Sequence, residues 1–390
     1  MIVMSTRLRR AAMTSDAEHV LKRKQSGNER ASNRARARFP TYRRRTMGIN
    51  RTRWAACLFG AGAMLFGGAA LAQGKPTGNM KIAFSNSFAS NSWRQQMLQD
   101  WDKVSKQAVA DKQVAAAPSF TTVQNQATEQ SQQIRNLILQ GYQAIVIDAA
   151  SPTAVNGAVR QACSAGIVVV SFDGTVTEPC AYRISIDFKR MGRMELDYFH
   201  NRKLKGNLLE VRGLAGFVVD NQIHEGVTDG LRQYPEFKVV GSVNGDYTQT
   251  VAQKAVAGLL PTLPEVVAVT TQGGDGAGTA RAFLDAGRKL PVIYMGNRYD
   301  ELALWKSEHD KNGYETQSAS IVPGVATFAF WYAQQLLAGN KLPKEVSLPI
   351  AVVSQGDLEK SLAATPKGGV YDQTFTRQEV LDYVRQHAAN

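Results

Sequence analysis

Polar and aromatic side chains recur directly after apolar, β-branched runs in this 390-residue sequence. Behind the run ending at Phe84 come Asn86, Phe88, Asn91, Trp93 and Arg94. Asp173 follows the run 167–172, and Asp246 and Tyr247 follow 238–243. Gln272 follows 266–271, Asn297 and Arg298 follow 292–295, and Ser320 lies near the end of 315–321. Such a mixture suits a small polyhydroxylated molecule. Aromatic faces stack on the C–H side of a ring, while carboxylates, amides and guanidinium groups make paired hydrogen bonds to neighbouring hydroxyls. One such Asp or Asn alone is more simply a helix cap; recurrence at five or six strand ends carries the reading.

Other chemistries find little support. His200, His224, His309 and His387 have no partner at metal-ligand spacing. Neither a Gly-x-Ser-x-Gly elbow nor a Gly-Lys-Ser/Thr phosphate loop occurs. The run Gly273, Gly274, Asp275, Gly276, Ala277, Gly278 is only loosely like a dinucleotide loop and falls deep in the chain. It reads instead as a close-approach loop bordering a cleft, with Asp275 as a candidate contact. The expectation is a binding protein with no catalytic set, no cofactor and no metal.

The elements that must hold these residues alternate strictly. Segments 81–85, 120–123, 144–148 and 167–172 read as strands, with helices at 93–110, 125–140 and 153–165 between them. In the second half 207–211, 238–243, 266–271, 292–295 and 315–321 read as strands. Helices are read at 215–233, 250–260, 278–286, 299–312 and 325–337. Runs such as Ile167, Val168, Val169 and Val170 suit strands buried on both faces. This pattern predicts α/β architecture, and its strand count exceeds one comfortable sheet. The expectation is two Rossmann-like, doubly wound parallel-sheet lobes with the ligand between the carboxyl ends of their strands.

The formal charge of +13 is misleading as a guide to partners. Residues 1–72 hold fifteen of the 46 basic residues and three of the 33 acidic ones. The remainder is nearly neutral, with 31 basic against 30 acidic, and gives no argument for nucleic-acid binding. Arg51 and Arg53 precede the uncharged, Ala/Gly/Leu/Phe-rich stretch 54–74, in which Ala70, Leu71 and Ala72 form a small-x-small exit. Segment 47–72 therefore reads as a signal peptide cleaved near Ala72, the alternative being a single membrane anchor. Cys57 is at the wrong end of that stretch for a lipoprotein cysteine. Residues 1–46 read as a disordered basic extension. They are either an upstream misread before a true start at Met47 or a leader whose Arg43, Arg44 and Arg45 serve twin-arginine export. Export into an oxidising compartment permits a bridge between Cys163, late in a helix, and Cys180, just before the next strand. The alternative is two buried thiols.

Over roughly 80–340 the sequence resembles the periplasmic substrate-binding proteins of sugar ABC transporters, the ribose- and galactofuranose-binding group. Residues carrying the likeness are Ile82, Ala83, Phe84 and Ser85 with Trp93 and Arg94; Asn125, Gln132, Gln133, Ile134, Leu137, Ile138 and Gly141 with Ala144 and Ile145; 169–173; Ile186, Asp187 and Gly192; and Gly245, Asp246, Tyr247 and Thr248. The resemblance implies ligand contacts at Asn91, Trp93, Arg94, Asp173, Tyr247 and Gln272. The Trp93–Arg94 pair looks more like the galactofuranose-binding branch. Departures are equally plain: Gly174 replaces an arginine, and Ile223, close to Asp220 and Asn221, stands where the family has its clamping arginine. Gln272 and Gly273 replace Asn-Asp, Arg298 replaces an aspartate, and Ser320 replaces a glutamine. A modified sugar, a polyol or a small acidic polyhydroxy compound would suit Arg94 and Arg298.

The resemblance implies a periplasmic, monomeric binding component whose hinge closes on ligand and whose closed form is read by an inner-membrane permease driven by an ATPase. A periplasmic sensor presenting ligand to a chemoreceptor or histidine kinase is the alternative. A sugar-sensing transcription regulator would need a DNA-binding segment where the export segment stands. The expected lobes are 80–187 plus 322–342, and 188–321 plus 343–390, joined by three crossings.

Overall fold

The computed structural model describes residues 74–387, so the basic extension and the expected signal peptide lie outside the described residues. The first half alternates β1 (Ile82–Asn86), α1 (Ser92–Ala110), β2 (Ser119–Thr121), α2 (Ala127–Leu139), β3 (Ala144–Asp148), α3 (Asn156–Ser164), β4 (Val168–Phe172) and β5 (Tyr182–Ile186). It continues through α4 (Phe188–Asn201), β6 (Gly206–Arg212), α5 (Val218–Gln233), β7 (Phe237–Asn244), α6 (Gln249–Leu259), β8 (Ala268–Thr270), α7 (Gly276–Asp285) and β9 (Val292–Ile293). α8 (Tyr299–Asn312), β10 (Ser318–Ser320), α9 (Val325–Leu337), β11 (Glu345–Leu348), β12 (Ala351–Val353), α10 (Leu358–Ala364) and α11 (Arg377–His387) complete it.

Strands β1 and β3 are buried at every position, as strands covered by helices on both faces must be. They are adjacent interior strands of a six-stranded parallel sheet ordered β2–β1–β3–β4–β5–β11. The second sheet runs β7–β6–β8–β9, all parallel. A bridge from Met295 to Ser318 carries it on to β10, which pairs antiparallel with β12. In both sheets the strand order reverses once, between β1 and β3 and between β6 and β8. Those reversals open crevices at the carboxyl ends of the strands.

Two C-terminal segments belong elsewhere than the sequence suggests. Residues 343–390 were expected in the second lobe, yet β11 pairs in register with β5, Val346 opposite Ile184, closing that edge of the first sheet. α11 packs on α9, with Tyr383 edge-on to Phe328 at 5.6 Å and its hydroxyl donating to Ser347 O at 2.6 Å. The reason lies in α9. Its first eleven residues are all buried, and a helix apolar all round needs cover on its outer face; Val380 and Val384 supply it. Besides the crossings at Asp187, near Ile321 and between β11 and β12, the chain therefore crosses a fourth time between Tyr371 and Phe375. The expected strand 315–321 shortens to β10, because its partner β12 is itself only three residues long.

Cys163 and Cys180 are joined by a disulfide, their Cα atoms 6.3 Å apart. It ties the end of α3 to the start of β5. A 17-residue separation corresponds to about 3 kcal/mol of chain-entropy stabilisation. Urea unfolding of Cys163→Ser/Cys180→Ser, or of reduced wild type, is expected to show a loss of about 2–4 kcal/mol.

The fourth crossing brings two carboxyls together. Burial, and then Asp372 beside it, push Asp100 on α1 up to about 7, opposed in part by Gln96 and Lys103. A carboxyl whose folded value lies above its unfolded one stabilises the fold at low pH and loses that contribution as pH rises through the folded value. Stability should therefore fall as pH rises from about 4 to about 7. Asp100→Asn is expected to flatten that fall; thermal unfolding followed across the window, with an unchanged slope in the variant, would contradict it.

Candidate binding cleft

The polar cluster of the first lobe forms at its strand reversal. Asn91 caps α1, its Oδ1 accepting from Arg94 N at 2.9 Å. That cap sets the first turn so that Arg94 reaches back over the ends of β1, β3 and β4. Its guanidinium donates to Asn86 Oδ1 at 2.8 Å and to Asp173 Oδ2 at 2.9 Å, and it also pairs with Asp148. Phe88 lies under the cation at 4.3 Å, with Trp93 and Phe217 near. Burial lowers Arg94 to about 10 against the pull of Asp173, so it stays protonated at neutral pH. Burial raises Asp173, and Arg94 opposes the rise.

The second lobe repeats the arrangement. Arg212, ending β6, forks onto Asp220 in the first turn of α5 at 3.0 and 2.6 Å. Asp220 also accepts from Gln272 Nε2 at 2.9 Å, leaving Gln272 Oε1 buried with no partner among the described residues. Tyr247 follows Asp246, and both have positive φ, 54° and 52°. That is a left-handed pair uncommon outside glycine, a kind of backbone that gathers at functional sites. The Tyr247 hydroxyl is likewise buried without a partner among the described residues. Burial and the carboxylates of Asp220, Asp173 and Asp275 hold it well above its ordinary range, so it remains a neutral phenol.

Arg298 donates to Tyr247 O at 2.7 Å and lies across Gly274, where φ is +98° and a Cβ would overlap the guanidinium. Burial lowers Arg298, and Glu301 and Asp275 counter it. Glu301 was not among the expected residues, yet it organises this wall. Its Oε1 accepts from Gly274 N, Gly276 N and Gly296 N at 3.2, 2.9 and 3.0 Å, and its Oε2 accepts from Arg298 N at 3.3 Å.

Between the two clusters lies a cavity of about 60 Å³, room for roughly four to six waters on that measure. Ten of the expected residues line it: Phe88, Asn91, Trp93, Arg94, Asp173, Tyr247, Gln272, Asn297, Arg298 and Ser320. Four lie behind or outside it. Asn86 holds Arg94, and Asp220 holds Gln272. Asp275 is fully buried and accepts from Thr248 N at 3.0 Å. Asn221 is exposed on α5. Asn297 lines the cavity, but its amide is committed to Ser318 and Ala351. The sequence reading missed the apolar wall of Phe188, Met191, Phe217, Val219, Ile321 and Val370, because a buried apolar side chain looks the same in sequence whether it faces a core or a cavity.

A model of the periplasmic binding protein domain matches residues 82–341. The ribose import binding protein RbsB of Bacillus subtilis is 25% identical over 60% of this chain and 75% of its own length. The crystal structure of an ABC transporter solute binding protein from Thermobispora bispora is 33% identical, covering 80% of this chain and 96% of that one, with TM-score 0.75. The fructose-binding periplasmic domain of a hybrid two-component system, 19% identical over 73% of this chain and 94% of that one, shares the fold with TM-score 0.64. Among the described residues no helix is long and apolar enough to cross a membrane, and no group of three or more candidate metal ligands occurs.

Proposed function

The chain belongs to the periplasmic binding protein domain family, and from that premise we propose that it captures a small, neutral, polyhydroxylated ligand in the interlobe cleft and delivers it to an inner-membrane importer. Its relatives include a ribose import binding protein and an ABC transporter solute binding protein. The observation that carries the neutral reading is the charge already committed around the cavity. Arg94 pairs with Asp148 and Asp173, while Glu301 and Asp275 offset the burial of Arg298. An anionic ligand would meet Arg94 with its charge already matched, beside the carboxyls of Asp148 and Asp173, so the acidic compound among the ligands the sequence leaves open is the poorer fit. A neutral polyol or sugar instead offers hydroxyls to Tyr247 Oη and Gln272 Oε1, and C–H faces to Trp93 and Phe88. Hinge closure brings the two lobes' contacts together only around bound ligand.

Mass spectrometry of small molecules retained by the purified protein, followed by calorimetry with the compound found, tests this. Tyr247→Phe and Gln272→Leu are each expected to weaken binding by about tenfold. A retained carboxylate or phosphate ester would sink the neutral reading. Transport, as opposed to presentation to a sensor, predicts that deleting the gene abolishes uptake of that compound.

A further inference from the structure

The fourth crossing touches the cavity as well as both lobes. On the second-lobe side the backbone is held by a bridge between Arg298 and Val370, with Tyr299 N donating to Gly369 O at 3.0 Å and Tyr371 N to Asn297 O at 2.8 Å. On the first-lobe side Gly324 N donates to Asp372 Oδ1 at 2.7 Å, and Phe375 N to Thr327 Oγ1 at 2.7 Å. Gly324 is needed there, because a Cβ would overlap the Gln373 carbonyl. Beyond it α11 is seated by Val380 and Val384. Asp372, anchored on the first lobe, directly follows Tyr371, anchored on the second, and the next first-lobe anchor, Phe375, lies only three residues further on. Val370, 1% exposed, forms part of the cavity wall beside Arg298.

We propose that residues 369–375 are a short tether that limits how far the cleft opens and, through Val370, set the size of the ligand it admits. The three sequential crossings connect strands and helices within the fold, whereas this one joins surfaces already fixed by other elements. Rotation of one lobe away from the other must stretch these few residues or pull Phe375 off Phe328, against which it stands edge-on at 5.3 Å. The loop is also in the right place to read ligand size. Gly368 and Gly369 border the outer cavity that meets the inner one at Asn91, Tyr247 and Arg298. The ligand half of the proposal rests on the reading of the cleft given above; the tether half does not.

Two measurements separate them. Spin labels attached through Gln132→Cys and Lys254→Cys, both exposed and on opposite lobes, report the interlobe distance in ligand-free protein. A six-residue Gly/Ser insertion between Tyr371 and Asp372 adds about 20 Å of reach while keeping both anchors. It is expected to add a longer-distance population absent from the wild type, with thermal unfolding confirming that the fold persists. Identical distance distributions overturn the tether. For size, calorimetry with glycerol, D-ribose, xylitol and D-allose compares wild type with Val370→Ala. The variant is expected to favour the next larger compound by about tenfold. An unchanged order of preference in a wild type that binds the series overturns the role of Val370. Binding of none of the four by wild type or variant overturns the size half for this series, while the retained compound still decides the cleft reading and the distance measurement still decides the tether.

Discussion

Replacing Arg94 by leucine is expected to lower the unfolding free energy at pH 7.5 by about 3–5 kcal/mol and to abolish retention of ligand. Arg94 is 2% exposed, and its partners Asp148 and Asp173 are 0% and 7% exposed. Leucine fills much of the space between Phe88 and Trp93 but leaves two buried carboxyls without a counter-charge. Burial already raises Asp173 with the arginine in place, and without it both carboxyls must take up protons or stay charged in an apolar setting. Carboxyls with raised folded values destabilise more as pH rises, so the loss should shrink when measured near pH 4.5. Arg94→Leu/Asp173→Asn should recover part of it, since one of the two orphaned charges is gone. Urea unfolding at the two pH values checks all three statements. A single variant as stable as wild type at pH 7.5 would show that the trio is solvated and the cleft is not built as described.

Much of this geometry could be read from the residues, and the boundary of what could not is physical. A polar residue after a buried β-branched run marks the carboxyl end of a parallel strand, so Asp173, Tyr247 and Gln272 announced themselves. Arg94 was visible as a candidate, but its role was not. Asp148 closes the run 144–148 and reads as nothing more than a strand end; only the strand order β4–β3–β1 brings it and Asp173 under one guanidinium. That commitment makes Arg94 an internal counter-ion as well as a cavity-lining residue, and among the sugar, polyol and acidic ligands left open by the sequence it favours the neutral ones. Trp93 changes in the same way. Its indole N–H donates to Ile321 O at 2.8 Å, tying α1 to the hinge, so truncating it disturbs more than a stacking surface. The C-terminal segments were missed because β11 is four residues long and the apolar positions of α11 are few. Their assignment depends on edges and faces that other elements leave uncovered.

Glu301→Ala is expected to produce the largest loss in the second lobe, about 3–5 kcal/mol, by leaving four buried or nearly buried backbone N–H groups short of an acceptor. Sequence offered one signal for it: Glu301 is three residues after Arg298, the capping position at the start of α8, and the side chain does accept from the cap backbone. What spacing could not convey is that its other oxygen collects three glycine amides from two loops, 273–276 and 296–298. Those loops carry Gly274 and Arg298, so the carboxylate fixes the wall of the cavity without touching a ligand. Glu301→Gln keeps one oxygen and should lose about half as much, because an amide can still accept at the Oε1 position but presents donors to Arg298 N. The binding readout separates positioning from mere stability. At a temperature where all three proteins are folded, affinity for the retained ligand should fall in the order wild type, Gln, Ala, together with protection of the Gly274 and Gly296 amides from hydrogen exchange. An alanine variant with lowered stability but unchanged affinity and exchange would place Glu301 in the scaffold alone.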